Sequence, residues 1–256
     1  LYLHFLKFSF SRSFEYRLDF WFRVGMDCVF YAVQLAFFTL LYRHTDTLGG
    51  WNYDQILIFV AAYLLSDAIH MTVFSNNMWW LPVWVNKGDL DYYLLRPVSS
   101  LFFLSLRDFA ANSFLNLILA MSILLWALAR YPETLPFSNV VFFAFLLLNG
   151  SVIRYVLHMM FVIPVFWMHT NRGLANAYYS TARLIERPDG IFSPGLQWFL
   201  RLAFPILWVV AIPSRVLFDG PSPSVIVQVL CVTTVFFLLM LLFWRRGLRA
   251  YASASS

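Results

Sequence analysis

Charged side chains are scarce in this chain, and their scarcity excludes an ordinary soluble domain. Only 12% of the residues are Asp, Glu, Lys or Arg, whereas 61% are hydrophobic. Soluble domains usually carry about a quarter charged residues. The mean hydropathy of +0.70 agrees with this contrast. Most of the chain is therefore expected to lie in a lipid bilayer.

The motifs of common enzymes and metal centres are also missing. No GxxxxGK[ST] segment occurs, so the chain has no phosphate-binding loop of its own. HExxH and GxSxG are absent, and the five histidines are dispersed. The two cysteines, Cys28 and Cys231, both lie in apolar stretches and favour neither a disulfide framework nor a zinc site. We therefore expect no catalytic residue, metal or cofactor in this chain.

Long apolar segments are the main positive signal. Residues 109–129 and 225–244 contain no charged side chain. A helix of about 20 residues is ~30 Å long, which matches the hydrocarbon thickness of a bilayer. The sequence predicts an all-α integral membrane protein with one transmembrane domain over residues 1–256. Its six predicted spans lie at about 18–42, 54–75, 98–129, 138–167, 196–213 and 224–244.

The fifth predicted segment, 196–213, is irregular. It contains Arg201 and is interrupted by Pro205 and Pro213. Proline lacks a backbone donor and breaks a helix. Two alternatives stay open, because the segment either crosses the membrane or enters it and turns back.

The distribution of basic residues predicts the orientation, because Lys and Arg near spans are retained in the cytoplasm. With the N-terminus inside, only Arg43, Arg130 and Arg215 face outward. The cytoplasmic side then holds Lys7, Arg12, Arg17, Lys87, Arg96, Arg172, Arg183, Arg187, Arg245, Arg246 and Arg249. We expect both termini in the cytoplasm. The net charge of +5 then reflects topology and contact with anionic lipids, and nucleic acid is not expected as a partner.

The first 17 residues mix charged side chains with phenylalanines and lack a continuous apolar core. They predict a helix in the cytoplasmic interface rather than a cleavable signal. Because the chain starts with Leu1 instead of Met, we expect further residues before it.

The connection at 76–97 predicts a short helix from about Leu90 to Leu95. Gly88 permits a turn, the Asp89 carboxylate can cap the helix, and Pro97 suits the first turn of the next span. A short helix that projects at the cytoplasmic face and a simple capped surface turn are equal alternatives.

The connection at 172–187 shows a helical period with one apolar face and one polar face. It predicts an amphipathic helix on the cytoplasmic membrane surface. A cytoplasmic helix packed on a partner subunit is the alternative, and both interpretations keep it outside the bilayer core.

Polar residues inside the spans form the last signal, since each ionisable one costs about 2.5–3.5 kcal/mol at a helix centre unless it is paired or hydrated. Arg23 lies four residues from both Asp19 and Asp27, so a carboxylate on either side can pair with it. Arg154 is expected to pair with an aspartate. Helix contacts and the lining of a translocation path remain open as roles. The candidates are Arg23, Asp27, Asp67, His70, Asp108, Asn112, Asn116, Arg154 and His158.

The segment GDLDYYLLRPV, residues 88–98, resembles the signature of a permease family within the type-2 ABC exporters. ERPDGIF at 186–192, the proline-broken fifth segment and RRGLRAYASAS at 245–255 are similar to the same family. Arg187 departs from the family pattern, in which an aromatic residue precedes Pro188.

This resemblance implies a permease subunit of an ATP-driven exporter in the bacterial cytoplasmic membrane. Its implied partners are cytoplasmic ABC ATPase subunits, which bind ATP and Mg²⁺, and a second permease, identical or paralogous. It also implies an N-terminal helix that contacts the ATPase and a re-entrant fifth segment near the outer face. The implied coupling helix lies within 79–96, and the residues assigned to coupling are Trp79, Trp80, Lys87, Gly88, Asp89, Leu90, Asp91, Leu94, Arg96 and Pro97.

A non-transporting membrane scaffold or assembly subunit is the alternative hypothesis. A membrane enzyme such as a lipid transferase is a third, which the missing catalytic motifs disfavour. The aromatic content of 20% suits an amphipathic cargo, but aromatic belts at the two membrane interfaces explain much of the same excess.

Overall fold

The computed structural model describes residues 17–168 and 172–251. This part of the chain is helical and contains no β-strand. The prediction of an all-α membrane protein is confirmed, since five helices are long and apolar enough to cross a bilayer: Phe20–Leu41, Tyr53–Lys87, Ser113–Arg130, Phe137–Met168 and Pro223–Ala250. The predicted interfacial helix at 1–17 lies outside the described residues except for its last one.

The α-helices of the described residues are α1 Arg17–Leu41, α2 Tyr53–His70, α3 Asn76–Lys87, α4 Leu90–Leu94, α5 Ser100–Leu106, α6 Ala111–Arg130, α7 Phe137–Val162, α8 Val165–Met168, α9 Arg172–Ala182, α10 Pro194–Leu202, α11 Ala211–Asp219 and α12 Pro223–Ala250. A π-helical turn, Met71–Ser75, joins α2 to α3. Turns of 3₁₀ helix occupy Arg183–Glu186, Asp189–Ile191 and Ile206–Trp208.

Helix α2 forms the centre of the bundle. Its start is fixed by a capping box in which Asn52 and Gln55 each accept from the other's backbone N–H. Residues 56–65 are then buried on every side, and α2 packs most extensively against α6. A helix that is apolar all round belongs inside a bundle. By contrast, only 11% of the span in α1 and 17% of that in α12 is buried, so these helices lie at the periphery.

The bundle has two ends, which serve as landmarks. The short-loop end contains residues 42–52, 131–136 and 220–222. The motif end contains residues 88–99 and Tyr251. The predicted orientation places the short-loop end outside and the motif end in the cytoplasm.

The third predicted span is interrupted, so the prediction of one segment over 98–129 is wrong. Residues 107–110 separate α5 from α6. The Asp108 carboxylate accepts from Asn76 Nδ2 at 2.8 Å, and the Asp108 carbonyl accepts from Asn77 Nδ2 at 2.7 Å. Hydropathy alone does not reveal such partners, because they come from α3. The interruption leaves α6 as the long helix of this region.

The prediction of a surface helix at 172–187 is wrong. Tyr178 and Ile185 are each only 4% exposed. Glu186 accepts from Tyr63 Oη of α2 at 3.1 Å, and the backbone of Gly190 contacts Gly49 at the short-loop end. Helical periodicity reports an apolar face without saying what covers it, and here the face packs on α7. Residues 172–191 therefore run along the bundle, past the level of His70 and Tyr63, to the short-loop end.

The segment 194–219 is a hairpin that starts and finishes at the short-loop end. Its return is joined to the turn that precedes it by Arg215 and Asp189, whose Nε and Oδ2 atoms lie 2.5 Å apart. Its tip contacts α7 at Gly150, where an added Cβ would lie 2.5 Å from the Val209 carbonyl oxygen. Gly150 is ~20 Å along α7 from Phe137. Of the two alternatives for the fifth predicted segment, turning back matches this path.

Candidate coupling element and intramembrane polar cluster

A glycine turn separates α3 from α4 at the motif end. Gly88 has φ of 78°, in the left-handed region that glycine adopts without strain. Its N–H donates to the Val85 carbonyl at 3.4 Å and ends α3. Helix α4 follows at Leu90–Leu94, close to the predicted range.

Two roles predicted for this connection are wrong. Asp89 precedes α4, but its backbone is right-handed helical and its side chain makes no capping hydrogen bond. Side-chain capping normally needs extended backbone at that position, and the glycine turn leads directly into helix instead. Pro97 lies before Ser99, the N-cap of α5, and not in the first turn of that helix.

Helix α4 is anchored by one side chain and otherwise projects from the bundle. Leu90 is completely buried in an apolar cluster shared with Val85 and Phe103. In contrast, Tyr92 is 63% exposed and Leu95 is 85% exposed. Trp79 and Trp80 on α3 are exposed as well, as are Lys87 and Asp89. This end of the molecule presents aromatic, aliphatic and charged side chains together.

Two arginines hold the return from α4 in place. The Arg96 guanidinium lies 4.8 Å from the ring centroid of Tyr92 and 4.9 Å from that of Phe103. Arg107 lies 4.6 Å from the ring centroid of Tyr93 and also donates to its hydroxyl. Such cation–π contacts contribute about 0.5–2 kcal/mol each. They give α4 a defined position although most of its surface is exposed.

A polar cluster joins three passes of the chain inside the bundle. Arg154 Nη2 of α7 lies 2.5 Å from Asp67 Oδ1 of α2, which confirms the predicted pairing of Arg154 with an aspartate. His70 Nε2 and His158 Nδ1 lie 3.0 Å apart. The ring of Tyr178 on α9 stacks on His158 at 3.9 Å. The cluster therefore ties α9 to α2 and α7.

The family described as ABC-2 family transporter protein matches residues 28–255. The match covers the projecting α4 and the polar cluster. The chain belongs to the ABC-2 transporter family. The ABC-2 permease is accordingly a multi-pass membrane component of an ABC transporter. No curated protein and no solved structure matches the chain significantly.

Other polar residues of the ABC-2 permease form separate contacts. Asn116 Nδ2 of α6 donates to the Asp27 carboxylate of α1. Arg23 is exposed on α1, and the side chains of Asp19 and Asn112 lie outside those described. The Asn116–Asp27 hydrogen bond joins α6 to α1 and includes no member of the Arg154 cluster. The predicted polar residues thus divide into a central cluster and contacts between neighbouring helices.

Sequence reasoning missed two members of the intramembrane network. Glu186 accepts from Tyr63 Oη and, at 3.4 Å, from Gln34 Nε2. Tyr178 was assigned to a surface helix and not to the cluster. The sequence signal for Glu186 was its position: it is an acidic residue at the end of the helical pattern of 172–187 and the first residue of ERPDGIF. Across the described parts of the chain, no group of three or more His, Cys, Asp or Glu could hold a metal ion.

Proposed function

We propose that this ABC-2 permease is the translocating subunit of an ATP-driven exporter in the bacterial cytoplasmic membrane. It works with cytoplasmic ABC ATPase subunits, which bind ATP and Mg²⁺, and with a second permease. Both termini lie in the cytoplasm. Family membership and the missing phosphate-binding loop support this proposal.

The observation that carries the proposal is the projection of α4. Its anchor, Leu90, is buried, while Tyr92, Leu94 and Leu95 expose apolar surface at the motif end. Exposed apolar surface of this kind marks interaction sites. An ATPase groove that covers these side chains removes them from water, and Leu90 fixes their position relative to the bundle.

The path from α4 into the membrane supports a role in coupling. Helix α3 continues through the π-helical turn into α2, so one helical segment reaches from Tyr53 to Lys87. Turns of π helix occur frequently at functional sites. Asp67 and His70 immediately precede this turn, and they contact α7 and α9. A displacement of α4 can therefore reach three passes of the chain.

A second permease is proposed from the periphery of the bundle. The spans in α1 and α12 are the least buried of the five long helices. Lipid covers such surfaces as readily as protein does, so the partner is inferred from the family. A non-transporting scaffold is the alternative function, and it would bind partners without changing their ATP hydrolysis.

The test uses the permease coexpressed with its ABC ATPase partner, sought first among the neighbouring genes, and reconstituted in liposomes. The double variant Asp89→Ala/Asp91→Ala should insert normally but lose most of its ATPase association or of the ATP hydrolysis that accompanies transport. Both carboxylates lie outside the apolar core, so their loss leaves membrane insertion intact, whereas docking depends on complementary charge and on the position of α4.

The matched control is Asp46→Ala, which removes an exposed carboxylate at the short-loop end. It should behave as wild type. Wild-type association and hydrolysis in the double variant would show that the connection is only a turn. Tight ATP binding by the purified permease alone would contradict the division of labour between subunits.

A further inference from the structure

Two segments that lie far apart in the sequence meet at the motif end. One is GDLDYYLLRPV, which contains α4, and the other is RRGLRAY at 245–251, where α12 ends. Leu248 and Tyr251 pack on the same apolar cluster that buries Leu90. Tyr251 is held at the end of α12 because its N–H donates to the Gly247 carbonyl at 3.0 Å.

Gly247 allows the end of α12 to approach α8 closely. A Cβ added at Gly247 would lie 2.5 Å from Cδ2 of Phe166. The Phe166 ring is 5.5 Å from Trp244 and 6.1 Å from Tyr251, centroid to centroid. The position of Tyr251 therefore depends on a contact that only glycine permits.

The hydroxyl of Tyr251 is buried, and within the described residues it makes no hydrogen bond of standard geometry. Burial raises the pKa of Tyr251 above its ordinary value, and the nearby carboxylates of Asp91 and Asp89 raise it further. A buried hydroxyl without a partner is unfavourable, and a carboxylate is a strong acceptor. Asp91 follows Leu90, which shares an apolar cluster with Tyr251, so the Asp91 carboxylate lies beside the Tyr251 hydroxyl.

We infer that Tyr251 is a positioning residue for α4: its hydroxyl donates to the Asp91 carboxylate when α4 seats against the end of α12. The last span then sets the position from which α4 docks. The link to docking rests on the proposed function, but the contact itself does not. Asp91 thereby serves the permease's own structure, while Tyr92, Leu94 and Leu95 face the partner.

The test measures hydrogen exchange of the amides in residues 90–95 for the permease in lipid nanodiscs. Tyr251→Phe removes the hydroxyl and keeps the ring, and it should speed exchange on the order of fivefold, as expected for one lost hydrogen bond. Asp91→Ala should have the same effect, and the double variant should show no more than either single variant. Asp91→Asn retains an acceptor and should keep most of the protection.

Two further variants separate positioning from general loss of stability. Tyr155→Phe removes a hydroxyl that is 2.7 Å from Ser105 Oγ in the same apolar cluster, and exchange at 90–95 should stay unchanged. Gly247→Ala displaces the end of α12 without touching the hydroxyl, and it should speed exchange as Tyr251→Phe does.

A parallel measurement of partner-stimulated ATP hydrolysis separates the inference from the proposed function. Loss of stimulation in Tyr251→Phe and Asp91→Ala, with stimulation retained in Asp91→Asn, supports both. Faster exchange at 90–95 in Tyr251→Phe supports the positioning contact whether or not the wild-type permease binds an ATPase. Failure of the wild-type permease to bind an ATPase would contradict only the proposed function. Wild-type exchange in Tyr251→Phe, or effects that multiply in the double variant, would overturn the inference.

Discussion

At the scale of single residues, Arg154 and Asp67 form an ion pair inside the bundle. Their side chains are 7% and 21% exposed, and they lie on α7 and α2 respectively. Each charge offsets the other, so the pair can exist where either alone would be strongly unfavourable. The stacked Tyr178 and His158 cover the same region.

Arg154→Ala should destabilise the protein by about 3–5 kcal/mol, because it leaves the Asp67 carboxylate without its cation. Thermal unfolding of the detergent-purified protein and the yield in the membrane measure this loss. The double variant Arg154→Met/Asp67→Leu replaces the pair with apolar side chains and should recover most of the stability. Equal losses in the single and double variants would show that the ion pair itself is required.

The pairing of Arg154 was predictable from the sequence, but its partner was not. An arginine in an apolar segment needs a counter-charge, and this physical requirement holds for any fold. The choice among Asp27, Asp67 and Asp108 depends on which helices are neighbours. Tyr178 could not be placed for the same reason, since its helix packs on α7 through contacts that no local pattern encodes.

At the scale of elements, the hairpin of α10 and α11 depends on a close backbone approach. Gly150→Ala would place a Cβ 2.5 Å from the Val209 carbonyl oxygen and 2.8 Å from the Trp208 carbonyl oxygen. The hairpin tip must then shift, and we expect a loss of about 1–3 kcal/mol. The melting temperature in detergent provides the measurement.

Gly195→Ala is the matched control for this variant. Gly195 lies in α10 of the same hairpin, and an added Cβ meets nothing within 4 Å. Alanine is also the better helix former, so stability should be unchanged or slightly higher. A comparable loss in both variants would show that the hairpin tolerates neither change, and the close contact at Gly150 would then not be the cause.

Long helices were predicted better than the segments between them. The helices Phe20–Leu41, Phe137–Met168 and Pro223–Ala250 agree with their predicted spans because length and composition alone define them. The more apolar segment, 194–219, was predicted as the fifth span but forms the hairpin. Residues 172–191 were predicted to lie on the membrane surface but run along the bundle. Within residues 172–191, the Glu186 carboxylate accepts from Tyr63 of α2 and Gln34 of α1, and hydropathy does not detect such partners.

At the scale of the whole molecule, the orientation of the bundle is a prediction that surface labelling can test. Single cysteines introduced into a variant with serine at Cys28 and Cys231 should react from outside at Thr47, Thr134 and Ser222. Ile191 should react from outside as well, because its backbone neighbourhood contacts the loop at Gly49. A cysteine at Lys87 should react only after permeabilisation.

Two outcomes would contradict this topology in different ways. Labelling at Lys87 from outside would show that the whole bundle has the opposite orientation in the membrane. In the other outcome, Thr47 reacts from outside but Ile191 reacts only after permeabilisation. This would show that residues 172–191 lie at the cytoplasmic surface. The second result would also separate Tyr178 from His158 and remove the polar cluster that joins three passes.

The π-helical turn at Met71–Ser75 has a consequence for the evolution of this permease. A π turn holds one residue more than the α-helical turn that it replaces. Deleting that extra residue would convert the π turn into an α-helical turn and leave the helix beyond it facing nearly the same direction. Deleting one residue from the regular part of α2 would instead rotate everything after it by about 100°. Asn77 would then lose its bonds to Asp108, and α4 would face another direction. Single-residue deletions are therefore expected to be tolerated at Met71–Ser75 and selected against in the regular part of α2.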